Sequence, residues 1–530
     1  MTKNKMPILY LNILIAILWF LSALADFGQF CYVWQFKEYR FDRLGDYIST
    51  LSGKKFFHSW RVLKRTLIYL LLFLILPINF KSLSYAIIAI LFIDLIYNFW
   101  SIAKHNLLRP KLTAKSLILI ILALLIEGIL FFNFLNSHII FIILALRWFT
   151  FSTLAALAKL PTGLAKIIYL KIAKNKLLKF NKLIIIGVTG SYGKTTVKNF
   201  LAQMLGEKYK TIMTPANINT EIGIAKFIIK NNFSNYDIFV VEMGTYKIGE
   251  IATICKMVKP KIGILTVINE QHLSLLKTIK NTQTAKYELL RSLPTNGLAI
   301  TNSDNEYCRE FLNELKCKVE TFGLKNEYNP DCLIKNVSVD AKGIGFIAEI
   351  KNNAELKISA PILGGHNSLN IAPVILASSF LNLSADEIIK RSNQLKLPPK
   401  VLQTYNYGKS LILDDSYNAN PDGFLAALNV LANYKERKKI VVTRGMLELG
   451  SVSKSLHETV GREIGKIADE LIIISEDSAA DLKNGAGNIK ITIETNSDKL
   501  LEIFKNLKNQ DCVILIENRL SEKIYQEIKK

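Results

Sequence analysis

The sequence predicts an N-terminal α-helical membrane region of about five spans followed by two α/β domains, and three observations favour this fold class. Half of the 530 residues are hydrophobic, and the long apolar runs all lie before residue 160. The net charge is +23, and residues 1–182 contribute most of it with 23 Lys+Arg against 6 Asp+Glu. Beyond residue 182, short hydrophobic runs alternate with helical patterns, which is typical of a parallel sheet with helices on both faces.

Changes in composition divide the chain into four segments. We expect a transmembrane region over 1–160, a basic amphipathic linker over 161–182, a central P-loop-type, mostly parallel sheet domain over 183–397 and a Rossmann-like α/β domain over 398–530. The pair Pro398-Pro399 marks the boundary between the last two segments, because consecutive prolines interrupt regular structure. An alternating pattern around 332–362 predicts a few antiparallel strands at one side of the first sheet.

The apolar runs of the first segment predict membrane spans, because about 20 apolar residues cross a bilayer as a helix. The spans are expected at about 8–25, 65–80, 85–102, 116–135 and 138–158. Basic residues concentrate in alternate connections, with eight Lys/Arg between the first two spans, none between the last two and seven lysines in 159–182. The positive-inside rule then places the amino terminus outside and the carboxyl terminus inside. The sequence predicts a multi-pass protein of the inner or plasma membrane, with membrane lipids as partners and the α/β domains in the cytoplasm.

Three charged residues, Asp94, Glu127 and Arg147, fall inside the expected spans. Charge in lipid is costly, so such residues usually pair with one another or serve a site. We favour structural ion pairs between helices over contacts with a lipid substrate. The lysine-rich stretch 159–182 suits either a helix along the membrane surface or a plain basic linker, and both interpretations stay open.

Two classes of function are not expected. The basic residues mostly flank apolar runs, so a nucleic-acid partner is not expected despite the high net charge. The six cysteines show no CxxC pair and no metal-binding spacing, which fits reduced thiols in a cytosolic protein.

A phosphate-binding loop is predicted in IIIGVTGSYGKTTVKNF, which runs from Ile184 to Phe200. Glycines let backbone N–H groups approach phosphate oxygens, a helix N-terminus favours an anion, lysine adds positive charge, and a threonine hydroxyl can bind Mg²⁺. The residues expected to contact phosphate are Gly190, Ser191, Tyr192, Gly193, Lys194, Thr195 and Thr196. The alternative is an ordinary glycine turn, and Val188 stands where the common P-loop pattern has its first glycine.

The segment TGSYGKTT resembles the shorter phosphate loop of the Mur ligase family, the ATP-dependent amide-bond ligases of peptidoglycan precursor synthesis. Further segments that resemble motifs of that family follow in order: TPANINTEIG, VVEMGTYKIGEI, VINEQHLSLL, NTQTAKYELL, GGHNSLNIAPVILA, LILDDSYNANPDGFLAAL and RGMLELG. The resemblance runs from about residue 183 to the end of the chain. It implies ATP and Mg²⁺ as cofactors.

The resemblance also implies roles for individual residues. Metal ligation is implied for Thr195, Glu242, His272 and Lys286, the lysine in a carbamylated form. Catalytic roles are implied for Lys194, His272 and Lys286, and substrate contacts for Asn219 and Thr220. Nucleotide contacts are implied for Asn367, Asn370, Lys400, Asp415 and Asn418, with His366 in the same segment as the first two.

The segment DDSYNANP resembles the family members that add D-alanyl-D-alanine to a muramoyl-tripeptide. It implies an ATP-dependent carbon–nitrogen ligase that works through an acyl phosphate. The expected partners are a cell-wall precursor and an amino acid or dipeptide. The alternatives are a ligase for a lipid-linked precursor or another polymer, such as a poly-γ-glutamate synthase, and an ATP-regulated membrane transporter or sensor.

The sequence departs from the family pattern in three places. Lys400 follows Pro399 where members have Gly-Arg, so a two-pronged phosphate contact is lost. Gly445 stands where members have an aspartate. The membrane region stands where members begin with a domain that binds the UDP end of the precursor.

Overall fold

The computed structural model describes residues 5–75, 80–103, 108–269, 273–340, 343–351, 355–417, 419–447 and 449–529. The chain forms two compact units, residues 1–165 and 166–530. Helix α9, Lys159–Leu177, runs through the boundary between them. The stretch 159–182, for which the sequence left two interpretations open, is therefore helical as far as Leu177.

The first unit is built from helices around an apolar core. They are α1 (Lys5–Phe36), α2 (Phe41–Ser49), α3 (Leu51–Phe57), a π-helical turn (Trp60–Lys64), α4 (Arg65–Ile75), α5 (Phe80–Ala103), α6 (Ala114–Asn133), α7 (Ile139–Ala145), α8 (Arg147–Leu157) and the start of α9. Aromatic side chains such as Phe27, Phe30 and Trp34 fill the core and are fully buried.

Four helical segments in the described part of the chain are long and apolar enough to cross a bilayer. They are Tyr10–Phe36, Leu83–Ala103, Ala114–Asn133 and Arg147–Leu177. About five spans were expected, and the expected span at 65–80 is not among the four. Its helix α4 has 11 residues, which is short of the roughly 20 that a span needs, and residues 76–79 lie outside the described part.

The expected span at 138–158 is interrupted at Leu146, where α7 ends and α8 begins. Arg147 is the first residue of α8, and its Nε donates to Oε1 of Glu127 at 2.8 Å. Both side chains are buried. Asp94 is also buried, and its Oδ2 lies 2.9 Å from Nη1 of Arg65. The interpretation of these charges as structural ion pairs is confirmed.

The second unit contains two sheets. Among the described residues, the first has nine strands: β1 (Ile184–Thr189), β2 (Thr211–Met213), β3 (Ile238–Glu242), β4 (Ile262–Leu265), β5 (Leu298–Asn302), β6 (Lys318–Gly323), β7 (Cys332–Asp340), β8 (Gly343–Ile350) and β9 (Glu355–Ala360). Their order is β2-β3-β1-β4-β5-β6-β7-β8-β9. Pairing is parallel from β2 to β7 and antiparallel for β7-β8 and β8-β9. The expected parallel sheet with antiparallel strands at one side is confirmed.

Helices cover both faces of this sheet. They are α10 (Lys194–Leu205), α11 (Glu221–Lys230), α12 (Glu250–Val258), α13 (Leu273–Leu276), α14 (Ile279–Arg291), α15 (Glu306–Arg309), α16 (Asn367–Phe380) and α17 (Ala385–Ser392). Neighbouring strand residues face opposite sides, so Ile186 packs with α10 and α16 while Ile185 packs in the core that contains α11, α12 and α14. Three short 3₁₀ turns complete the second unit: Leu312–Glu314, Asn326–Tyr328 and, in the C-terminal part, Gly450–Val452.

The second sheet of the described chain has six strands: β10 (Gln403–Tyr407), β11 (Ser410–Asp415), β12 (Lys438–Thr443), β13 (Glu470–Ile473), β14 (Lys490–Ile493) and β15 (Cys512–Glu517). Their order is β10-β11-β15-β12-β13-β14, and every pair except β10-β11 is parallel. The helices are α18 (Pro421–Ala432), α19 (Ser453–Ile467), α20 (Ala479–Ala486), α21 (Ser497–Leu507) and α22 (Glu522–Ile528). Parallel strands end at one edge of each sheet, and two candidate site residues, Glu242 and Asp415, are the last residues of β3 and β11.

Candidate active site

The phosphate loop joins β1 to α10, and its backbone requires two glycines. Gly190 has φ +149° and Gly193 has φ +78°. A Cβ on Gly190 would lie 1.9 Å from Oγ1 of Thr266, and a Cβ on Gly193 would lie 2.5 Å from Oδ1 of Asn370. Any other residue would therefore be strained and would clash with these neighbours.

The loop is held rigidly against the segment that follows β4. The backbone N–H of Ser191 donates to the carbonyl of Val267 at 2.8 Å, and its hydroxyl accepts from the N–H of Asn269 at 2.9 Å. The carbonyl of Tyr192 accepts from the Thr266 hydroxyl at 2.5 Å. These bonds fix the loop backbone before α10 starts.

Helix α10 presents its N-terminus at the loop. Its N-cap residue is Gly193, so no side-chain cap occupies the first-turn N–H groups in this described helix. Uncapped amide groups and the helix dipole together make a site for an anion such as phosphate. Gly190 through Thr196 thus lie in the loop and in the first turn of α10, and their contact with phosphate stays a prediction.

Lys194, the first residue of α10, is partly buried against the loop. Its Nζ donates to the carbonyl of Gly190 at 2.6 Å and to that of Ser191 at 2.9 Å. Burial lowers the pKa of this ammonium to about 8. The lysine is therefore a point charge held by the loop, and an added anion would stabilise its charged form.

Glu242, the last residue of β3, accepts hydrogen bonds from two polar side chains. Its Oε2 accepts from the Thr195 hydroxyl at 3.0 Å, and its Oε1 accepts from the side-chain amide of Asn219 at 3.1 Å. The hydroxyl and the carboxylate are hard oxygen donors. They fit Mg²⁺, which takes one or two carboxylates and otherwise phosphate and water oxygens.

Lys198 is a fourth member of this cluster. Its Nζ lies 3.0 Å from Oε2 of Glu242, and only 1% of its surface is exposed. It lies one helical turn after Lys194 in α10, so both lysines face the loop side of the helix. Lys198 is not among the site residues that the sequence predicts. Its spacing of four residues from Lys194 would have placed it on the same helix face.

Lys286 lies on α14 and is also buried against the loop. Its Nζ donates to the carbonyl of Gly190 at 2.9 Å, the same oxygen that Lys194 contacts. Burial first, and then the charge of Lys194, lowers the pKa of Lys286 well below its usual value. The neutral amine that this environment favours is the form that can add CO₂.

The two residues expected to contact substrate have different surroundings. Asn219 belongs to the Glu242 cluster, and its carbonyl accepts from the N–H of Gly244 at 2.9 Å. Thr220 is the N-cap of α11, where its hydroxyl accepts from the N–H of Gly223 at 3.4 Å. Capping is a sufficient structural reason for a threonine at that position.

The paired asparagines of α16 lie next to the loop. The side-chain amide of Asn370 donates to Oδ1 of Asn367 at 2.8 Å, and that of Asn367 donates to the carbonyl of Leu363 at 2.7 Å. Burial lowers the pKa of the neighbouring His366 to about 4, so this imidazole is neutral near pH 7. Oδ1 of Asn370 lies close to Gly193 of the phosphate loop, and the contact of Asn370 with a nucleotide stays a prediction.

Two residues of the C-terminal sheet domain touch the phosphate-loop side. The Tyr417 hydroxyl lies 3.4 Å from Oγ1 of Thr195. Asp422 accepts from the side-chain amide of Asn269 at 2.5 Å, and Asn269 in turn holds Ser191. The two sheets therefore meet at the loop, and any ligand of the loop would lie beside the C-terminal domain.

Two segments of the chain match known protein families. Residues 188–378 match the Mur ligase middle domain, and residues 402–516 match the glutamate ligase domain of Mur ligases. The two matches together span more than half of the chain. The chain belongs to the Mur ligase family.

Curated relatives point to one branch of the Mur ligases. UDP-N-acetylmuramoyl-tripeptide–D-alanyl-D-alanine ligase of Synechocystis sp. is 29% identical over 325 residues, which are 61% of this chain and 68% of that protein. The enzyme of the same name from Bacillus subtilis is 28% identical over 354 residues, 65% of this chain and 75% of that protein. The one from Escherichia coli is 30% identical over 299 residues, 56% of this chain and 65% of that protein.

Solved structures show the same fold. A crystal structure of MurF from Acinetobacter baumannii covers 69% of this chain and 81% of its own, with a TM-score of 0.62 and 23% identity. The MurF ligase from Thermotoga maritima in complex with ADP covers 69% and 83%, with a TM-score of 0.61 and 26% identity. The central parallel-rich sheet and the C-terminal α/β domain are thus those of a Mur ligase.

Lys400 stands where Mur ligases have an arginine, and the structure shows what its side chain and backbone contact. This residue has φ +64°, and its Nζ lies 3.9 Å from the ring centre of Tyr525. Its carbonyl accepts from the N–H of Tyr417 at 3.0 Å. Lys400 thus supports the backbone of the residue that reaches Thr195, while its ammonium lies over an aromatic ring.

Asp415 lies at the end of β11, in register with Glu517 on β15. Its Oδ1 accepts from the N–H of Leu402 at 3.2 Å, and burial raises the pKa of Asp415 to about 7. Burial and the neighbouring Asp415 raise the pKa of Glu517 well above its usual value. Glu517 has no local sequence signal, because its pairing with Asp415 depends on strands about 100 residues apart.

Two predicted residues fall outside the part of the chain that the structure describes. They are His272, expected at the metal, and Asn418, expected at the nucleotide. The described sequence-predicted residues nearest the loop are Lys194, Thr195, Glu242, Lys286 and Asn370.

Proposed function

We propose that this Mur ligase adds D-alanyl-D-alanine to a muramoyl-tripeptide in ATP-dependent peptidoglycan precursor synthesis. The names of the curated relatives support the substrate pair. One structural observation carries the proposal: Thr195 contacts Glu242 on one side and Tyr417 of the DDSYNANP segment on the other. That contact joins the phosphate loop, the candidate metal ligand and the segment that resembles this branch of the family.

The residues of the loop would bind and orient the phosphates of ATP. The first-turn N–H groups of α10 and the ammonium of Lys194 would neutralise their charge. Thr195 and Glu242 would hold Mg²⁺, which supplies further charge neutralisation when bound. A substrate carboxylate would attack the γ-phosphorus to give an acyl phosphate and ADP. The amine of the incoming dipeptide would then attack the acyl carbon and release phosphate.

Other residues would hold the substrates in place. Asn367, Asn370, Asp415 and Asn418 would contact the nucleotide, and Asn219 and Thr220 the precursor. Lys286, as a carbamate, and His272 would assist in metal binding. Contacts of the C-terminal domain at Thr195 and Asn269 would keep water away from the acyl phosphate.

We also propose that the first unit anchors the ligase in the inner or plasma membrane, with the ligase domains in the cytoplasm. Four helical segments of the described chain have the necessary length and hydropathy. The seven lysines of 159–182 follow the last of the expected spans, which favours a cytoplasmic location for that stretch.

The membrane unit favours a second candidate function, in which the tripeptide acceptor is linked to a lipid. Helices in the position of a UDP-binding domain would let the enzyme meet a precursor at the bilayer surface. The D-alanyl-D-alanine donor and the acyl-phosphate chemistry would be the same for both acceptors.

The experiment supplies purified full-length protein with ATP, Mg²⁺, D-alanyl-D-alanine and either UDP-linked or lipid-linked tripeptide. Mass spectrometry then follows ATP-dependent product. We expect product with one acceptor and none from Lys194→Ala, while Lys208→Ala, an exposed lysine, retains activity. Product from only the soluble acceptor would reject the lipid-linked candidate. No product from either acceptor, or full activity in Lys194→Ala, would reject the proposed function.

A further inference from the structure

The second half of α9 exposes an apolar strip to its surroundings. The strip consists of three residues of the helix, Ile167, Ile168 and Ile172, and of Leu178, which directly follows it. Their side chains are between 48% and 63% exposed. Their spacing places them on one face of the helix. An apolar face of this kind on a docked helix points to an apolar or amphipathic partner.

The orientation of this face is fixed by contacts on the other side of the helix. Ala173 and Leu177 are buried in the core that contains α11 and α12. Lys166 forms an ion pair with Glu221, and Nζ of Lys176 donates to the carbonyl of Ile229 at 2.7 Å. The helix is therefore bound to the second unit through one face, and the apolar strip remains on the opposite face.

Positive charge surrounds the strip. Residues 166–182 contain six lysines and no acidic residue, and Lys171, Lys179 and Lys182 are exposed. A groove of about 530 Å³ lies beside the strip, lined by Ile172, Asn175, Lys176, Lys179 and Phe180. A groove lined by the apolar side chains of Ile172 and Phe180 together with lysines matches an acyl chain that ends in an anionic headgroup.

We propose that this strip and its groove bind anionic phospholipid at the bilayer surface, so that the ligase unit is held against the headgroups. The inference rests on the proposed membrane location of the first unit. The apolar segment Arg147–Leu177 includes part of the strip, and its length and hydropathy favour a bilayer as the partner. Six lysines in 17 residues exclude the hydrocarbon core as the location of 166–182 and favour the interface.

The test uses full-length protein in nanodiscs of phosphatidylcholine alone or with added phosphatidylglycerol. Ile168→Cys carries an environment-sensitive fluorophore, in a background where the half-buried Cys317 is replaced by serine and the other cysteines are buried. Ile493→Cys, at a strand position of similar exposure in the C-terminal domain, is the matched control. Brominated lipids report direct contact by quenching.

We expect a blue shift and quenching of the Ile168→Cys label, both stronger with phosphatidylglycerol, and neither at Ile493→Cys. Replacing Lys171, Lys179 and Lys182 by glutamine together, or raising the salt concentration, should remove the difference between the two lipid mixtures. Ligation of a soluble acceptor should persist in that triple variant.

Several outcomes would overturn the inference. No quenching at Ile168→Cys would exclude the bilayer as partner, and a blue shift without quenching would assign the strip to protein, including a second copy of this chain. Quenching that is equal in both mixtures would exclude recognition of anionic headgroups. Ligation measured in the same nanodiscs tests the proposed function separately, because absent product with intact quenching would contradict that function alone.

Discussion

The ammonium of Lys198 lies 3.0 Å from Oε2 of Glu242, and both side chains are buried beside the phosphate loop. Oε2 also accepts a hydrogen bond from the Thr195 hydroxyl, so lysine and threonine contact the same carboxylate oxygen. The lysine compensates the charge of Glu242 inside the protein. Its ammonium and the Thr195 hydroxyl together hold this carboxylate oxygen beside the first turn of α10.

The first prediction concerns Lys198→Met, which keeps the length of the side chain and removes its charge. Breaking a buried ion pair leaves an uncompensated charge and costs about 3–5 kcal/mol. We therefore expect a lower melting temperature and, at temperatures where the variant is folded, a changed Mg²⁺ concentration for half-maximal ligation. Thermal unfolding and a Mg²⁺ titration of ligation measure the two effects.

Lys208→Met is the matched control, because Lys208 pairs with Glu387 at 3.3 Å on the surface. Loss of an exposed pair costs about 0–1 kcal/mol, and Mg²⁺ dependence should not change. A Lys198→Met variant with wild-type Mg²⁺ dependence would show that Lys198 only stabilises the fold.

The second prediction concerns pH and ATP binding. Because burial lowers the pKa of Lys194 to about 8, the lysine of the free protein loses its proton as pH rises through that value. We expect the Kd for ATP to increase above about pH 8, since a neutral amine no longer attracts phosphate. Calorimetric titration between pH 7 and pH 9.5, roughly the range around this pKa, measures the trend.

Lys194→Arg provides the comparison, because a guanidinium keeps its proton throughout this range. Its affinity for ATP is expected to be lower at pH 7 than that of the wild type, but nearly independent of pH. A wild-type pH profile that reappears unchanged in Lys194→Arg would assign the titration to another group.

The third prediction concerns carbamylation of Lys286. Its lowered pKa favours the neutral amine, which can add CO₂. We expect a carbamate carbon signal by NMR when the protein is supplied with ¹³C-bicarbonate, and its loss in Lys286→Gln. Lys280→Gln, an exposed lysine on the same helix, should retain the signal. An identical spectrum in Lys286→Gln would refute the modification at this residue.

The sequence was sufficient to predict the phosphate loop, because strand, glycines, lysine and helix are consecutive in the chain. Residues such as Gly190 and Lys194 need only local geometry to reach a phosphate. The mostly parallel central sheet and the antiparallel strands at its side also follow from local patterns of buried and alternating residues. These features required no knowledge of distant contacts.

The contacts that complete the candidate site could not be predicted in this way. Tyr417 reaches Thr195 across 222 positions of sequence, and Asp415 meets Glu517 because β11 and β15 are neighbours in the second sheet. Nothing local in either segment specifies its partner. In the first, helical unit, the helix break at Leu146 has no sequence signal either, since leucine favours a continuous helix.

The fourth prediction concerns the carboxyl pair of Asp415 and Glu517. Both pKa values are raised in the folded protein, so the folded state holds protons that the unfolded chain releases. Stability contributed by this protonation is present at low pH and falls as pH rises through the window between the unfolded values near 4 and the folded value of about 7 for Asp415.

Glu517→Gln removes one of the two titrating groups without changing the shape of the side chain. We expect the variant to exceed the wild type in stability at pH 8, because it lacks the Glu517 carboxyl whose raised pKa disfavours the folded state there, and to match it near pH 4.5. Melting temperatures measured across this range report the difference. Glu502→Gln, at an exposed position of the same domain, should leave the profile unchanged. A wild-type profile in Glu517→Gln would exclude the pair as its cause.

The last prediction concerns the buried charges of the first unit. Nη1 of Arg147 lies 2.8 Å from Oδ2 of Asp26, and Nε of Arg147 lies 2.8 Å from Oε1 of Glu127. Asp26 also contacts Arg61 at 2.9 Å and Arg65 at 2.5 Å. Three arginines therefore share one aspartate, while Glu127 depends on Arg147 for its charge compensation.

We expect Arg147→Met to destabilise the helical unit by about 3–5 kcal/mol, because Glu127 is left as a buried charge without a cation. The double variant Arg147→Met/Glu127→Gln should recover part of this loss, since Asp26 keeps Arg61 and Arg65 and the glutamine carries no charge. Leu146→Ala, an exposed neighbour, should have a small effect. Thermal unfolding of the full-length protein in detergent measures all three. A double variant no more stable than Arg147→Met alone would show that the arginine acts through its packing and not through its charge.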